Sequence, residues 1–282
     1  MSLSPSSSAQ AARESLALRL KELRLDAGLT TQGMADLCGW HKSKTSRIEN
    51  TKTIPSDADI KAWCRACGSE DQTADLIASS RSAESMYVAW RRKQRTGLRR
   101  GQEASIPLYQ RTALFRMYCV KVLPGLLQTE GYAKALLSGI TEFRELPDDS
   151  AQAATARVER SRIIRDGLHR AVFLVEEDAL YHRVGDNSVM AGQLGYLLTA
   201  MSYPAVSLGI IPQSAQRAMW GIETFSMFDD RRVHVELLAA KVTVTTPSEV
   251  ELYLRAFARL GKMAVHGRRA RSLISKAIDS LG

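Results

Sequence analysis

Long apolar runs are missing from these 282 residues. No uninterrupted stretch approaches the roughly 18 residues that a membrane-spanning helix needs, so the chain is expected to be soluble, with no membrane partner. Cysteine is scarce, at 4 residues, and no export signal accompanies it; reduced thiols in a cytoplasm are the expectation. The opening MSLSPSSSAQAAR has serine and proline but no apolar stretch, which argues against a secretory signal. Residues 1–12 read as a disordered tail. Familiar catalytic signatures are also lacking. PGLLQTEG does not fit the G-x-x-x-x-G-K phosphate cradle, no G-x-S-x-G elbow occurs, and no repeat at solenoid spacing is visible. Neither an enzyme nor a bound cofactor is expected.

What is present is positive charge. Against 30 acidic residues stand 39 lysines and arginines, a net charge of +9, so the chain prefers polyanions as partners. The charge is concentrated between Met86 and Ala104, where Arg91, Arg92, Lys93, Arg95, Arg99 and Arg100 face one acid, Glu103. Glycines and few large apolar groups mark this stretch as an interdomain segment. With 45% apolar content, there is room for about two domains. We divide the chain into residues 13–80, a basic helical or linker segment at 81–105, and residues 106–282.

The first domain reads as four or five short helices. Leu16, Leu20, Leu23 and Ala27 share one helical face, and Gly28 stops it. Thr30 is the predicted N-cap of a helix from Thr31 to Cys38, with Met34, Ala35 and Leu37 as apolar contacts and Gly39 at its end. A third helix begins after His41 and turns Thr45 and Ile48 inward. Pro55 marks the exit loop. Ser56 or Asp57 then caps a fourth helix carrying Ile60, Trp63, Cys64 and Cys67. None can bury its apolar stripe alone, so they must pack together.

Lys42, Ser43 and Lys44 crowd the first turn of the third helix. Cations there oppose the helix dipole, at roughly a few tenths of a kcal/mol each. A helix that merely faces water would do better with acids, whereas a helix that meets a polyanion would not. Lys42, Ser43, Ser46 and Arg47 project away from Thr45 and Ile48, and an arginine can grip guanine O6 and N7 in bidentate fashion.

The stretches LRLKELRLDAGLTT, MADLCGW and SRIENTKTIPS resemble the helix-turn-helix of lambda-repressor/Cro-like (XRE-type) regulators, over roughly Leu16 to Gly68. The resemblance implies that the Lys42 to Asn50 helix enters the major groove of double-stranded DNA. It implies Lys42, Ser43 and Arg47 as base readers, and Thr31, Asn50 and Lys52 as phosphate contacts. Gln32, Lys44 and Ser46 complete the candidate DNA-binding set. Three departures stand out. Thr31 occupies a position where the family often has Gln, His41 replaces the usual Ser or Thr cap, and Thr51 follows Asn50 where Gly is common. The left-handed helix exit therefore falls to a less suitable residue. Gly33 also weakens its helix by about 1 kcal/mol relative to Ala.

Cys38-x-x-His41 and Cys64-x-x-Cys67 have the spacing of four zinc ligands. Yet Cys38, Cys64 and Cys67 fall on inward faces, where free cysteine packs as a small hydrophobe. Core packing is preferred over a metal site or a redox pair.

The second domain reads as α+β with a mostly antiparallel sheet. Thr129 caps a helix with Glu130 in its first turn, AQAATARVERSRIIRD is helical, and AVFLVEEDAL begins as a strand. A helix through Met190 to Met201 comes next. AVSLGIIP, ETFSMFDD and RVHVELLA then read as three short strands, with VTVTTP as a candidate fourth. Ser248 is the expected cap of a further helix, and RRARSLISKAIDSLG forms the last. The acidic run Glu176, Glu177, Asp178 with His182 could suggest a metal, but such runs are usually solvated. Asp229 and Asp230 read as a hairpin turn, and Trp220, Phe225, Met227 and Phe228 as core or pocket lining.

VLPGLLQTEGYAKALL, RVERSRII, FLVEEDALYHRVG and VELYLRAFARLGKMA are similar to segments of a widespread domain of actinobacterial regulators, of largely undefined function, that typically follows an XRE-type helix-turn-helix. The similarity covers about Ile106 to Ser275. It implies a transcription factor whose second domain senses a ligand or partner. One helix-turn-helix contacts few base pairs, so a homodimer is expected, with the second domain serving dimerisation, in a cytoplasmic, nucleoid-associated protein. Some members of this group look like antitoxins. The alternative is therefore a protein that neutralises a small partner protein and binds DNA for autoregulation.

Overall fold

The computed structural model describes residues 5–82, 87–89, 97–238 and 240–282. They fall into two compact units, Met1–Tyr87 with Thr243–Val250, and Val88–Val242 with Glu251–Gly282.

The first unit contains α1 (Pro5–Asp26), α2 (Thr31–Cys38), α3 (Lys42–Glu49), α4 (Asp57–Cys67) and α5 (Thr73–Ser82). Helices of eight residues, such as α2 and α3, do not hold in water alone. They hold here because Leu20, Met34, Ile48, Ile60, Trp63 and Cys64 bury together in one core, at about 1.5–3 kcal/mol for each large apolar side chain. The Trp63 indole N–H donates to the Leu20 carbonyl at 2.9 Å, so its one polar atom is satisfied inside that core. Local chemistry sets the ends. The Thr30 hydroxyl accepts from Gly33 N at 3.0 Å. Ser56 and Asp59 form a reciprocal capping box. Gly39, at φ 66°, takes the left-handed exit of α2, where a Cβ would be strained.

Two expectations shift. The helix α1 starts at Pro5, inside the segment read as a structureless tail, because AQAARESLAL is rich in good helix formers. Residues 1–4 lie outside the described residues. Leu37 is exposed rather than a core contact.

In the second unit, α6 (Arg99–Glu103) and α7 (Ile106–Arg111) precede a mixed sheet. Arg91, Arg92, Lys93 and Arg95 of the basic stretch lie outside the described residues. The end of that stretch is docked rather than free: Leu98 is buried, and the Leu98 and Arg99 amides donate to the Asp149 carboxylate at 2.7 and 2.9 Å. The sheet order is β1-β7-β6-β5-β2-β3-β4. Its strands are β1 (Tyr87–Ala89), β2 (Leu114–Cys119), β3 (Arg170–Glu176), β4 (Val206–Ile211), β5 (Phe225–Phe228), β6 (Arg232–Glu236) and β7 (Ala240–Val244).

The α+β architecture is as expected, but the sheet is mixed. The pairs β2–β5 and β5–β6 are antiparallel, whereas β2–β3 and β3–β4 are parallel. Parallel neighbours need a crossover. Two helices, α8 (Glu130–Phe143) and α9 (Ser150–Ser161), separate β2 from β3. The short α10 (Asp178–Tyr181) and the longer α11 (Asn187–Ala200) separate β3 from β4. Phe115, Met117, Phe173, Val175 and Leu208 meet Leu194, Leu197 and Ile274 in the main core. The last helices are α12 (Pro247–Gly261) and α13 (Gly267–Asp279). Ser248 is not the cap of α12. It lies one residue inside the helix, with its hydroxyl bound to the Asp75 carboxylate.

Candidate nucleic-acid interface

The position of α3 is set by one buried ion pair. Arg24, near the end of α1, meets Glu49, the last residue of α3. Arg24 Nε donates to Glu49 Oε1 at 2.5 Å and Nη2 to Oε2 at 3.1 Å, and Nη1 reaches the Leu29 carbonyl at 2.5 Å. Both side chains are more than nine-tenths buried. The hydrogen bonds to Glu49 raise the Arg24 guanidinium further above its ordinary range, against the opposing effect of burial. A two-pronged pair of this kind fixes angle as well as distance. Thr45 and Ile48 face inward on the same helix and are buried.

The opposite side of α3 is bare. Lys42, Ser43, Ser46, Arg47 and Asn50 are exposed, as are Gln32 on α2 and Lys52 beyond α3. Among the described residues, Lys42, Arg47 and Lys52 take part in no ion pair. His41 caps the helix: its Nδ1 accepts from the Ser43 amide at 3.3 Å and lies 2.9 Å from the Ser43 hydroxyl. The Asn50 amide group folds back onto the Ser46 carbonyl at 2.7 Å. Gln32 bonds Asp36 at 2.7 Å, and Thr31 is half-buried.

The exit of α3 is taken by Thr51 at φ 58°. A β-branched residue is poorly suited to this region. The conformation is held because Thr51 N and Lys52 N close onto the carbonyls of Ile48 and Arg47 at 3.1 and 2.8 Å, satisfying acceptors that the helix end would otherwise leave open.

Lys44 does not share the bare face. Its ammonium pairs with Asp59 at 2.6 Å and lies 4.3 Å above the Trp40 ring. Burial pushes the Asp59 carboxyl up, but Lys44 and the two hydrogen bonds from Ser56 outweigh it and leave it below the usual carboxylate range. Sequence spacing placed Lys44 in the candidate set because it cannot see which residue comes to meet it. The Arg24–Glu49 pair was missed for the same reason, since 25 positions separate the partners.

The cysteines pack inside. Cys64 is buried in the first core, with Cys38 and Cys67 at its margin. Burial raises the Cys38 thiol and pushes Cys67 up to about 11. That is the wrong direction for a thiolate nucleophile. The His41 ring is engaged with Ser43 instead. No group of three metal-capable side chains occurs among the described residues.

The acidic run of the second unit is used internally. Glu176 is buried, accepts from the Tyr118 hydroxyl at 2.7 Å, and is gripped by both Nη atoms of Arg217 at 2.7 Å. Asp178 pairs with Lys121. Asp229 sits in the β5–β6 turn, where its carboxylate accepts from the amides of Ala113 and Leu114. Phe225, Met227 and Phe228 are core, whereas Trp220 is exposed.

No described helix is long and apolar enough to cross a membrane. A helix-turn-helix domain family matches residues 15–76, and a domain of unknown function, DUF5753, matches residues 108–276. No curated protein and no solved structure matches the chain. The second match spans more than half of the chain, and the first spans the five-helix unit that presents α3. The chain thus belongs to the DUF5753 family and carries a helix-turn-helix domain ahead of that domain.

Proposed function

We propose that the chain is a sequence-specific, XRE-type transcriptional regulator of the actinobacterial kind, which acts by binding rather than by catalysis. One observation carries the reading: α3 ties its other charged groups, Lys44 and Glu49, inward and leaves Lys42, Ser43, Ser46 and Arg47 on one uncovered face. A helix of this size fits a major groove about 12 Å wide. In this reading Lys42, Ser43 and Arg47 meet base edges, and Thr31, Gln32, Asn50 and Lys52 hold the backbone. Lys44 moves to a bracing role. A single helix-turn-helix reads few base pairs, so a homodimer on a near-palindromic site is proposed. The second domain serves dimerisation and sensing, in a cytoplasmic protein associated with the nucleoid.

Selection of bound duplexes from a random pool at moderate salt tests this. A recovered motif with two related half-sites supports the reading, and a pool with no preference over bulk DNA sinks it. If a small protein co-purifies and stays bound after nuclease treatment, the antitoxin-like neutraliser becomes the better account.

A further inference from the structure

Within the second unit, two half-buried cations sit together without an ion pair to any described residue. Arg157 and Arg160, on α9, lie one helical turn apart and so share a face. Both line a cavity of about 390 Å³, which falls in the size range of small-molecule sites. Their protein partners are neutral. Arg157 donates to the Gln128 side-chain oxygen at 2.6 Å and, from Nε, to that of Gln102 at 3.4 Å. Arg160 donates to the Gln102 side-chain and main-chain oxygens at 2.8 and 3.3 Å, and its guanidinium stacks 4.4 Å from the Tyr109 ring centre. Neither takes part in an ion pair with any described residue. The Nε–H of Arg160 is buried with no hydrogen-bond partner among the described residues.

This arrangement is expensive. A half-buried cation with no ion-pair partner is costly to hold, and here two sit together, with the Glu236 carboxylate acting on Arg157 only from beyond ion-pair distance. Burial lowers the Arg157 guanidinium to about 10, and the charge of Arg160 pushes the same way. The acid on the cavity wall, Glu236, forms no ion pair with either arginine. A fold selected for stability alone would place Met or Leu at both positions. The rest of the wall is mixed: Met117, Leu123, Leu137 and Phe228 are apolar, whereas Arg144, His234, Glu236 and Lys241 are ionisable. Two forked donors at one place, with the apolar part of the wall beside them, suit a molecule with an oxyanion at one end and an apolar body. A polyanion such as DNA is too large to enter, and a bare phosphate would leave the apolar wall uncovered.

We propose that this cavity binds a small amphipathic organic anion, whose carboxylate or phosphate is held by Arg157 and Arg160. The proposal deepens the sensing role suggested above for the second domain. Its test uses no DNA, so its failure and the failure of the DNA-binding reading are separate results.

Calorimetric titration of the full chain, freed of nucleic acid, uses four probes: 2-naphthoate, 2-naphthyl phosphate, the neutral 2-naphthylmethanol and inorganic phosphate. The expected result is that one charged naphthyl compound binds about tenfold or more tightly than the neutral one and than inorganic phosphate. Which of the two binds better identifies the head group. Arg157→Met is expected to abolish that preference while its unliganded Tm stays level or rises. If Arg157→Met does not fold, Arg160→Gln is titrated instead, and the charged-against-neutral comparison in the unaltered chain needs no variant. The proposal is overturned if charged and neutral probes bind alike, if none binds at about 1 mM, or if the preference survives substitution. In that last case the two arginines only brace the domain.

Discussion

The two units treat unpaired cations in opposite ways. In the helix-turn-helix unit Arg24 is matched by Glu49 and Lys44 by Asp59, and Lys42, Arg47 and Lys52, which form no ion pair with a described residue, stand in solvent. In the second unit Arg217, at the surface, is matched by the buried Glu176, but the half-buried Arg157 and Arg160 donate only to neutral oxygens. An exposed cation is hydrated and costs little to leave alone, and any large polyanion can reach it. An interior cation has no such compensation and is open only to a ligand small enough to enter. Under the two proposals made above, the location of the unmatched charge separates a surface for DNA from a cavity for a small anion.

The comparison can be broken most severely at Arg24. Arg24→Ala leaves the Glu49 carboxylate buried without a counter-charge, and stability should fall by about 3–5 kcal/mol, read as a lower midpoint in urea. A loss below about 1 kcal/mol would mean that the pair is not what anchors α3. Next in size is a contrast on one helix. Arg47→Ala is expected to weaken specific binding by about 1–3 kcal/mol, relax preference at one base pair and leave the melting temperature unchanged. Lys44→Ala should do the reverse, lowering stability by about 1 kcal/mol with base preference intact. If Lys44→Ala changed the preferred base instead, its assignment as a brace would be wrong.

Thr51→Gly removes a Cβ from a left-handed position and should raise the stability of the first unit by about 1 kcal/mol. Chemical denaturation checks it, and no gain would mean that the Thr51 backbone is unstrained. The smallest effect is a pH dependence in the second unit. Burial pushes the His169 imidazole down, but the Asp166 carboxylate at 2.8 Å and the Gln110 carbonyl outweigh it, leaving the group above its ordinary 6.5. A raised folded value gives a contribution fully present below pH 6.5 and lost as pH rises through that folded value. Between pH 6 and 8, the unaltered chain should therefore lose Tm relative to His169→Gln. Parallel melting curves would contradict this.

Features decided within a few residues were legible in the sequence. Thr30, His41 and Ser56 cap the helices they were expected to cap, and Gly39 and Thr51 take left-handed exits. Thr45 and Ile48 face inward with Ser43, Ser46 and Arg47 outward, because a period of 3.6 residues fixes which side chains share a face. Several strands were legible from their β-branched and aromatic runs. Their relative direction was not, since parallel and antiparallel partners can carry the same hydrophobic pattern. Lys44 was counted in the candidate DNA-binding set because it belongs to the cationic first turn of α3. Its actual direction depends on Asp59, 15 positions away.

By itself, then, the sequence determined where helices begin and end, which faces are apolar, and that a cationic stripe lies along α3. Those properties depend on hydrogen bonds and side-chain spacing within one or two turns. Tertiary structure alone decided which charges meet. It brought Arg24 to Glu49 and Lys44 to Asp59, and it left the half-buried Arg157 and Arg160 without an ion pair to any described residue. Charge pairing over tens of positions is set by how the chain folds back on itself, and the one-dimensional pattern does not carry that information.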